Sequence, residues 1–560
     1  MHTKCAALIS AAALLWACER DAELPTASPT PDVAQHPLPT AIQKRLKVQL
    51  ERFSTMPMLL TADRLGVTEV RGKSIKPKKK DRHNGPRKKL TDVPIAADPN
   101  ADENEPTVAA NPKKKKLLVA GSHFITDVVR CEARHSSDGG RNWSALVLMP
   151  QLTAESQCSD PVLTYSPDGK RVFYAYMDIK FFPTFDFDIL VSYSTDDGAT
   201  WIGPFIALDG VGDVLIYDKP WIGTPADASN YVYVTATRFN VTDDCQIVFA
   251  RSTNGGAGYG APQTLDLSAA CGEGTSPLVQ GSRPSGGKRG NVLVGWYNSG
   301  TDGVNTGSFN IRTRHSADFG ATFEPVVDAA TDASEANFFL GPSICYEVWE
   351  PVMYPDVEID ASGRGHIAYT HDPAAGNATA EEGDIRYITS KGPPYTSWSR
   401  PITVNDDGTV SAQGFVALDV KSAEPHATWV DHRLPLEKVA ESQCPFVPDV
   451  ENLEYDIFSS TRQAGGWSPN VRVTEQSSLS DYLFLGDYID LSADARFTIW
   501  TDRRDKVSIF DPEDDIWGSR THRVQPRLAV GAGPNTASVT AAGFLGTSGS
   551  WFSVAARTTR

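Results

Sequence analysis

From about residue 100 to 525 the chain alternates short apolar segments with turn-forming clusters, a pattern of strands rather than helices. Pro106-Thr-Val-Ala-Ala110 and Leu117-Leu-Val-Ala120 flank a turn at Asn111 to Lys116. Asp160-Pro-Val-Leu-Thr-Tyr165 and Arg171-Val-Phe-Tyr-Ala-Tyr176 flank Ser166-Pro-Asp-Gly169, whose residue types favour a tight turn. Similar units begin near Lys219-Pro-Trp-Ile222, Ser276-Pro-Leu-Val279, Tyr354-Pro-Asp-Val357, Gly414-Phe-Val-Ala-Leu418 and Gly486-Asp-Tyr-Ile-Asp-Leu491. Each reads as four strands. The last continues through Arg496-Phe-Thr-Ile-Trp500 and Asp515-Ile-Trp-Gly518 but lacks an obvious fourth strand. Residues 529–560, or the stretch near Val67 to Val70, are the candidates for it.

A short motif marks the outer hairpins. It occurs as Ser136-x-Asp138-x-Gly140-x-x-Trp143 and Ser194-x-Asp196-x-Gly198-x-x-Trp201. It recurs as Ser252-x-Asn254-x-Gly256-x-x-Tyr259 and Ser316-x-Asp318-x-Gly320-x-x-Phe323. Weaker copies without the Asp lie at Ser390 to Trp398 and Ser460 to Trp467. Ser and Asp side chains bond the backbone of a turn and Gly accepts positive φ, so the motif is structural. It resembles the Asp-box of sialidases and related β-propellers. The resemblance covers about residues 100 to 525. It implies an all-β fold, a β-propeller of four-stranded blades with Asp-box turns. The repeat favours seven blades over six, whereas sialidase domains usually have six.

The strand order bears on the cysteines. Cys131, Cys158, Cys245, Cys271, Cys345 and Cys444 allow fifteen pairings by count alone. Cys131 begins the third strand of blade one and Cys158 follows its fourth; Cys245 and Cys271 hold the same places in blade three. Each pair is expected to clip the open end of an outer hairpin. Cys345 and Cys444 fall on one face, which admits a third bridge; buried free thiols are the other reading.

In such a propeller the loops before strand one and between strands two and three share a face, opposite the Asp-box turns. Sialidase-like proteins bind ligand there. The resemblance implies three Arg for a sugar carboxylate, a Tyr nucleophile with a Glu partner, and an Asp acid/base. On this chain Asp127 stands as acid and Glu350 with Tyr488 as the nucleophile pair. Arg433, Arg503, Arg504, Trp349, Asp431 and Asp487 stand as ligand-binding candidates. The family's Arg-Ile-Pro phrase before the first Asp-box is absent, and Glu105-Pro-Thr-Val carries no Arg. Trp429-x-Asp431-x-Arg433 recurs as Trp500-x-Asp502-x-Arg504 in the next blade. Repetition at equivalent positions favours a structural role, Asp and Arg bridging neighbouring blades with Trp packed between them, over a clamp on a sugar carboxylate. Metal signals are weak: Asp511-Pro-Glu-Asp-Asp515 could hold calcium, a solvated loop is the plainer reading, and no cofactor is expected.

Composition adds limits. The net charge of −16 argues against a nucleic-acid partner. After the N-terminus no apolar run reaches 18 residues, so no spanning helix is expected. Residues 1–17 read as a signal peptide, and Leu15-Trp-Ala-Cys18 resembles a bacterial lipobox, which implies lipid on Cys18. Ordinary cleavage beside a fortuitous Cys is the alternative. Residues 18–95 read as a tether with a basic run from Arg71 to Lys89, residues 96–525 as the propeller, and 526–560 as a C-terminal segment able to complete the last blade. The expectation is a monomeric, lipid-anchored protein of the bacterial cell envelope whose propeller face binds a glycan or envelope protein. An exo-α-sialidase-like glycoside hydrolase is the alternative.

Overall fold

The computed structural model describes residues 92–541, apart from 182–183, 213, 241–243, 270, 272–277, 300–308, 332–353, 372–382, 410, 412, 421–423, 435–453, 480–485, 493–495, 505–513, 521–527 and 534–535. The described residues are all strand, turn and loop, with no helix among them. Seven antiparallel sheets form a seven-bladed propeller. Their inner strands are Thr107–Ala110, Gln157–Tyr165, Leu215–Gly223, Val279–Gly286, Asp356–Ile359, Gln413–Asp419 and Asp490–Ser492. Blade six carries extra pairings of its third strand, Glu454–Gln463, with two short segments beyond its hairpin.

The fourth strand of blade seven corrects the sequence expectation. It is Val93–Ala96, paired antiparallel with Asp515–Arg520. The segment near Val67 to Val70 lies outside the described residues. The hairpin Leu528–Gly533 with Thr536–Ala541 pairs with itself and with no other described strand. The ring is therefore closed by the front of the chain, and the propeller starts three residues before the boundary read from sequence. Pro94 is tolerated because an outer strand has one unpaired edge.

Each of the four clear motif copies makes the same bonds. Ser136 Oγ donates to Asp138 Oδ1 at 2.9 Å and accepts from the Gly140 amide at 2.8 Å. The copies at Ser194, Ser252 and Ser316 repeat both contacts at 2.7 and 2.9 Å. Burial nudges the Asp138 carboxyl upward, but bonds from Asn142, Ser136 and the Arg141 amide outweigh it and hold the group at about 2. Gly140 has φ +83°, and a Cβ there would stand 2.3 Å from the Phe497 ring of blade seven. The turn thus also seats one blade on its neighbour, with Trp143 and Phe497 centroids 5.7 Å apart.

Cys131–Cys158 and Cys245–Cys271 are bridged as expected. Their loops, 27 and 26 positions long, correspond to about 3 kcal/mol each in the chain-entropy model. Their placement is only partly as read. Cys158 sits in the inner strand of blade two, so the first bridge ties blade one to blade two rather than closing one hairpin. Cys345 and Cys444 lie outside the described residues.

Candidate functional site

Six inner strands share a local distortion. Glu105, Asp160, Lys219, Gly281, Phe415 and Gly486 all have φ between +51° and +90°, just before or within the inner strands of blades one, two, three, four, six and seven. In four blades the pairing register slips across this residue, between Ser159 and Val162, Asp218 and Trp221, Gln280 and Arg283, and Gly414 and Ala417. This is a β-bulge repeated around the ring, and a bulge re-aims a side chain. Gly486 is required at its place: a Cβ would come within 2.5 Å of Glu105 Cγ.

The bulges bring together charges distant in sequence. Lys219 Nζ lies 3.3 Å from Asp160 Oδ1 and is bonded to Asp487 Oδ2. The Asp160 amide donates to Glu105 Oε2 at 3.2 Å, and Glu105 Oε2 lies 3.3 Å from His123 Nε2. Asp218 accepts from Gln280 Nε2 at 2.8 Å. Tyr488 donates its phenol to Asp160 Oδ1 at 3.0 Å. Its ring packs on Trp221, centroids 5.4 Å apart, and the Lys219 ammonium stands 5.5 Å from its centre. Arg283 stacks 3.7 Å over Trp221 and pairs with Asp356 at 2.7 Å. Glu105 is 0% exposed, Asp160 1%, Lys219 1%, Asp487 2% and Tyr488 6%.

Burial sets the electrostatics. Loss of water, then the Asp160 charge, push the Glu105 carboxyl well above the usual range, against the pull of Lys219. Burial raises Asp218 to about 7, again against Lys219. Burial and Lys219 together lower His123 to about 3, so its ring is neutral. Burial, then the Asp160 charge, hold the Tyr488 phenol protonated.

Of the residues singled out in the sequence, Tyr488 and Asp487 belong to this cluster. Tyr488's carboxylate partner is Asp160; Glu350 and Trp349 lie outside the described residues. Asp127 is exposed in the turn joining the second and third strands of blade one. Asp431 accepts from Trp429 Nε1 at 2.8 Å and from Arg433 Nη2 at 2.7 Å, and Arg433 also reaches Asp406 at 2.9 Å. Asp502 accepts from Trp500 Nε1 at 2.6 Å and from Arg504 Nη2 at 2.7 Å, and Arg504 also reaches Asp92 at 2.9 Å. Arg503 Nη2 donates to Asp514 Oδ2 at 2.7 Å. All three guanidiniums are committed to carboxylates of the propeller; for Arg433 and Arg504 this is the structural role read from the repeated W-x-D-x-R phrase, but the pair forms within one blade rather than between neighbouring blades. The calcium candidate Asp511–Asp515 is described only from Asp514 onward, and Asp514 holds Arg503.

Sequence reasoning passed over Glu105 and Asp160 as site residues. The available signal was a charged residue followed by Pro at the same place in three blades: Glu105-Pro106, Asp160-Pro161 and Lys219-Pro220.

No family model and no curated protein matches this chain. Some solved structures are similar to it. An α-L-arabinofuranosidase, Arb93A, from Fusarium graminearum shares 12% identity over 61% of this chain and 92% of its own, with a TM-score of 0.40. A family 25 polysaccharide lyase, an ulvan lyase, shares 10% over 76% and 95%, TM-score 0.40. The Hadza microbial sialidase Hz136 shares 10% over 59% and 63%, TM-score 0.37. At these identities and TM-scores no activity carries over; the blade count rests on the strand pairing itself.

Proposed function

We propose that the protein is an exported propeller that binds a glycan or an envelope protein on the face formed by the loops entering the inner strands and joining strands two and three. One observation carries this reading over a catalytic one: Tyr488 and the charged groups around it are almost fully buried. A Tyr nucleophile must meet its substrate and be activated by a base. Tyr488 is buried and packed against Trp221, and its phenol is held protonated beside a carboxylate. The Arg candidates for a carboxylate clamp are paired internally. Binding then falls to the loops around this buried cluster. The glycoside hydrolase alternative is favoured by a single contact, the 3.0 Å bond between Tyr488 and Asp160, which has the form of a nucleophile and its base.

Turnover decides between them. Wild-type protein is expected to leave fluorogenic sialosides, arabinan oligosaccharides and uronate-containing polysaccharides intact while retaining ligands on a glycan array or in an envelope-protein pull-down. Hydrolysis abolished by Tyr488→Phe, with the circular dichroism unchanged, would reverse the assignment. The address is part of the same proposal. Cys18→Ser is expected to move the protein from the membrane fraction to the soluble one, and a wild-type protein already fully soluble after cell disruption refutes lipid anchoring.

A further inference from the structure

The charge of the propeller is unevenly placed. Residues 92–541 hold 61 Asp and Glu against 34 Lys and Arg. The turns joining strands one to two and three to four share the face opposite the one proposed for ligand. There, in blades one and two, the balance reverses. Turns 111–117, 136–143, 166–171 and 194–201 hold seven Lys and Arg against four Asp. Four of the seven are consecutive, Lys113, Lys114, Lys115 and Lys116, and all four are exposed.

The turn that carries them is fixed in place. Asn111 is 1% exposed, and its Oδ1 accepts from the amides of Lys113 and Lys114 at 3.0 and 3.1 Å. Its Nδ2 donates to the Gly169 carbonyl and to Asp197 Oδ1, both at 2.8 Å, which seats the turn against blade two. The Lys116 carbonyl accepts from the Gly139 amide at 2.9 Å, which seats it against the first Asp-box. Lys170 and Arg141, both exposed, stand one and two residues beyond those contacts.

The four acids are used within the turns. Asp138 and Asp196 accept from their own Ser hydroxyls and from amides of their own hairpins. Asp197 accepts from Asn111 and from the Tyr165 phenol, and Asp168 from Ser166 and the Lys170 amide. Asp168 also lies 3.7 Å from the Lys170 ammonium, a pair open to water and therefore weak. Among the described residues Lys113, Lys114 and Lys116 pair with no carboxylate.

We propose that this basic patch rests on anionic lipid headgroups, so that a bilayer lies under the Asp-box turns of blades one and two and the opposite face looks away from it. Lysines fixed at one end of an acidic body orient that body, because an anionic surface attracts the patch and repels the rest. Turns at one end of a radial set of blades make a broad face, which suits a planar partner. The partner is a bilayer on the strength of the anchoring proposed for Cys18, which keeps one within reach.

The test uses full-length Cys18→Ser protein, so that no lipid contributes. It is expected to sediment with mixed phosphatidylglycerol and phosphatidylcholine vesicles at low salt, less so as salt is raised, and not with phosphatidylcholine alone. Replacing Lys113, Lys114 and Lys116 together by Gln keeps the amides that Asn111 holds. It is expected to weaken partitioning about hundredfold with an unchanged thermal melt. Lysine acetylation read by mass spectrometry locates the contact: Lys113 to Lys116 and Lys170 should react several-fold more slowly in vesicle-bound protein than in free protein. Absence of binding to the mixed vesicles overturns the proposal. Unchanged acetylation of those lysines in bound protein overturns it as well, by placing the contact elsewhere, for example in the basic run from Arg71 to Lys89. Retention on dextran sulfate without vesicle binding also overturns it and makes the patch a site for an anionic polymer. A wild-type protein that is soluble in cells refutes the anchor at Cys18; the patch stands or falls on the vesicle results.

Discussion

Lys219→Met is expected to lower conformational stability by about 3–5 kcal/mol, the cost of leaving buried charge without its partner. The ammonium touches carboxylates from blades two and seven and lies over the Tyr488 ring. Methionine keeps most of the stem's packing but none of the charge, so the loss reports electrostatics rather than a cavity. Urea titration followed by tryptophan fluorescence gives the number. A loss below about 1 kcal/mol, the level of an exposed pair, would mean that the surrounding carboxyls are already neutral without the lysine.

Arg504→Ala is expected to cost a similar amount, about 3–5 kcal/mol, for a different structural reason. Its guanidinium holds Asp502 inside blade seven and Asp92 at the start of the closing strand, and it lies 4.1 Å over Trp517. Its side chain is 2% exposed. Removal strands two buried carboxylates and loosens the join between the front of the chain and the last blade. Ligand binding per folded molecule should be unchanged. A variant of wild-type stability that has lost binding would return Arg504 to the role of a ligand clamp.

The architecture was legible because it is periodic. The Ser-x-Asp-x-Gly turns and first strands recur at similar intervals, so each copy corroborates the next, and the bridges Cys131–Cys158 and Cys245–Cys271 follow from that order. The closing strand was not legible, since Val93-Pro94-Ile95-Ala96 is four residues long and contains a proline. It becomes a strand because the exposed edge of blade seven is there to pair with it. The site was half legible. Tyr488 and Asp487 could be placed on the right face from their position before the seventh inner strand. Their partners could not be identified, because Glu105, Asp160 and Lys219 meet only when a ring closes and bulged residues swing inward. That Arg433 and Arg504 are structural was legible from the repetition of W-x-D-x-R; that each folds back onto the carboxylate two residues before it, within its own blade, was not.

Closure by the first strand also sets an order of events during synthesis. Asp92 and Arg504 are 412 positions apart, so Val93–Ala96 is made long before its partner strand exists. The blades between can form from neighbouring hairpins as they emerge, but the ring stays open until the seventh blade is complete. Contacts across so long a span form slowly. Until then blade seven would present a raw strand edge, the kind of surface on which chains aggregate. Trimming the chain past Val93 should therefore show first in the yield of soluble protein and only afterwards in any property of the finished propeller.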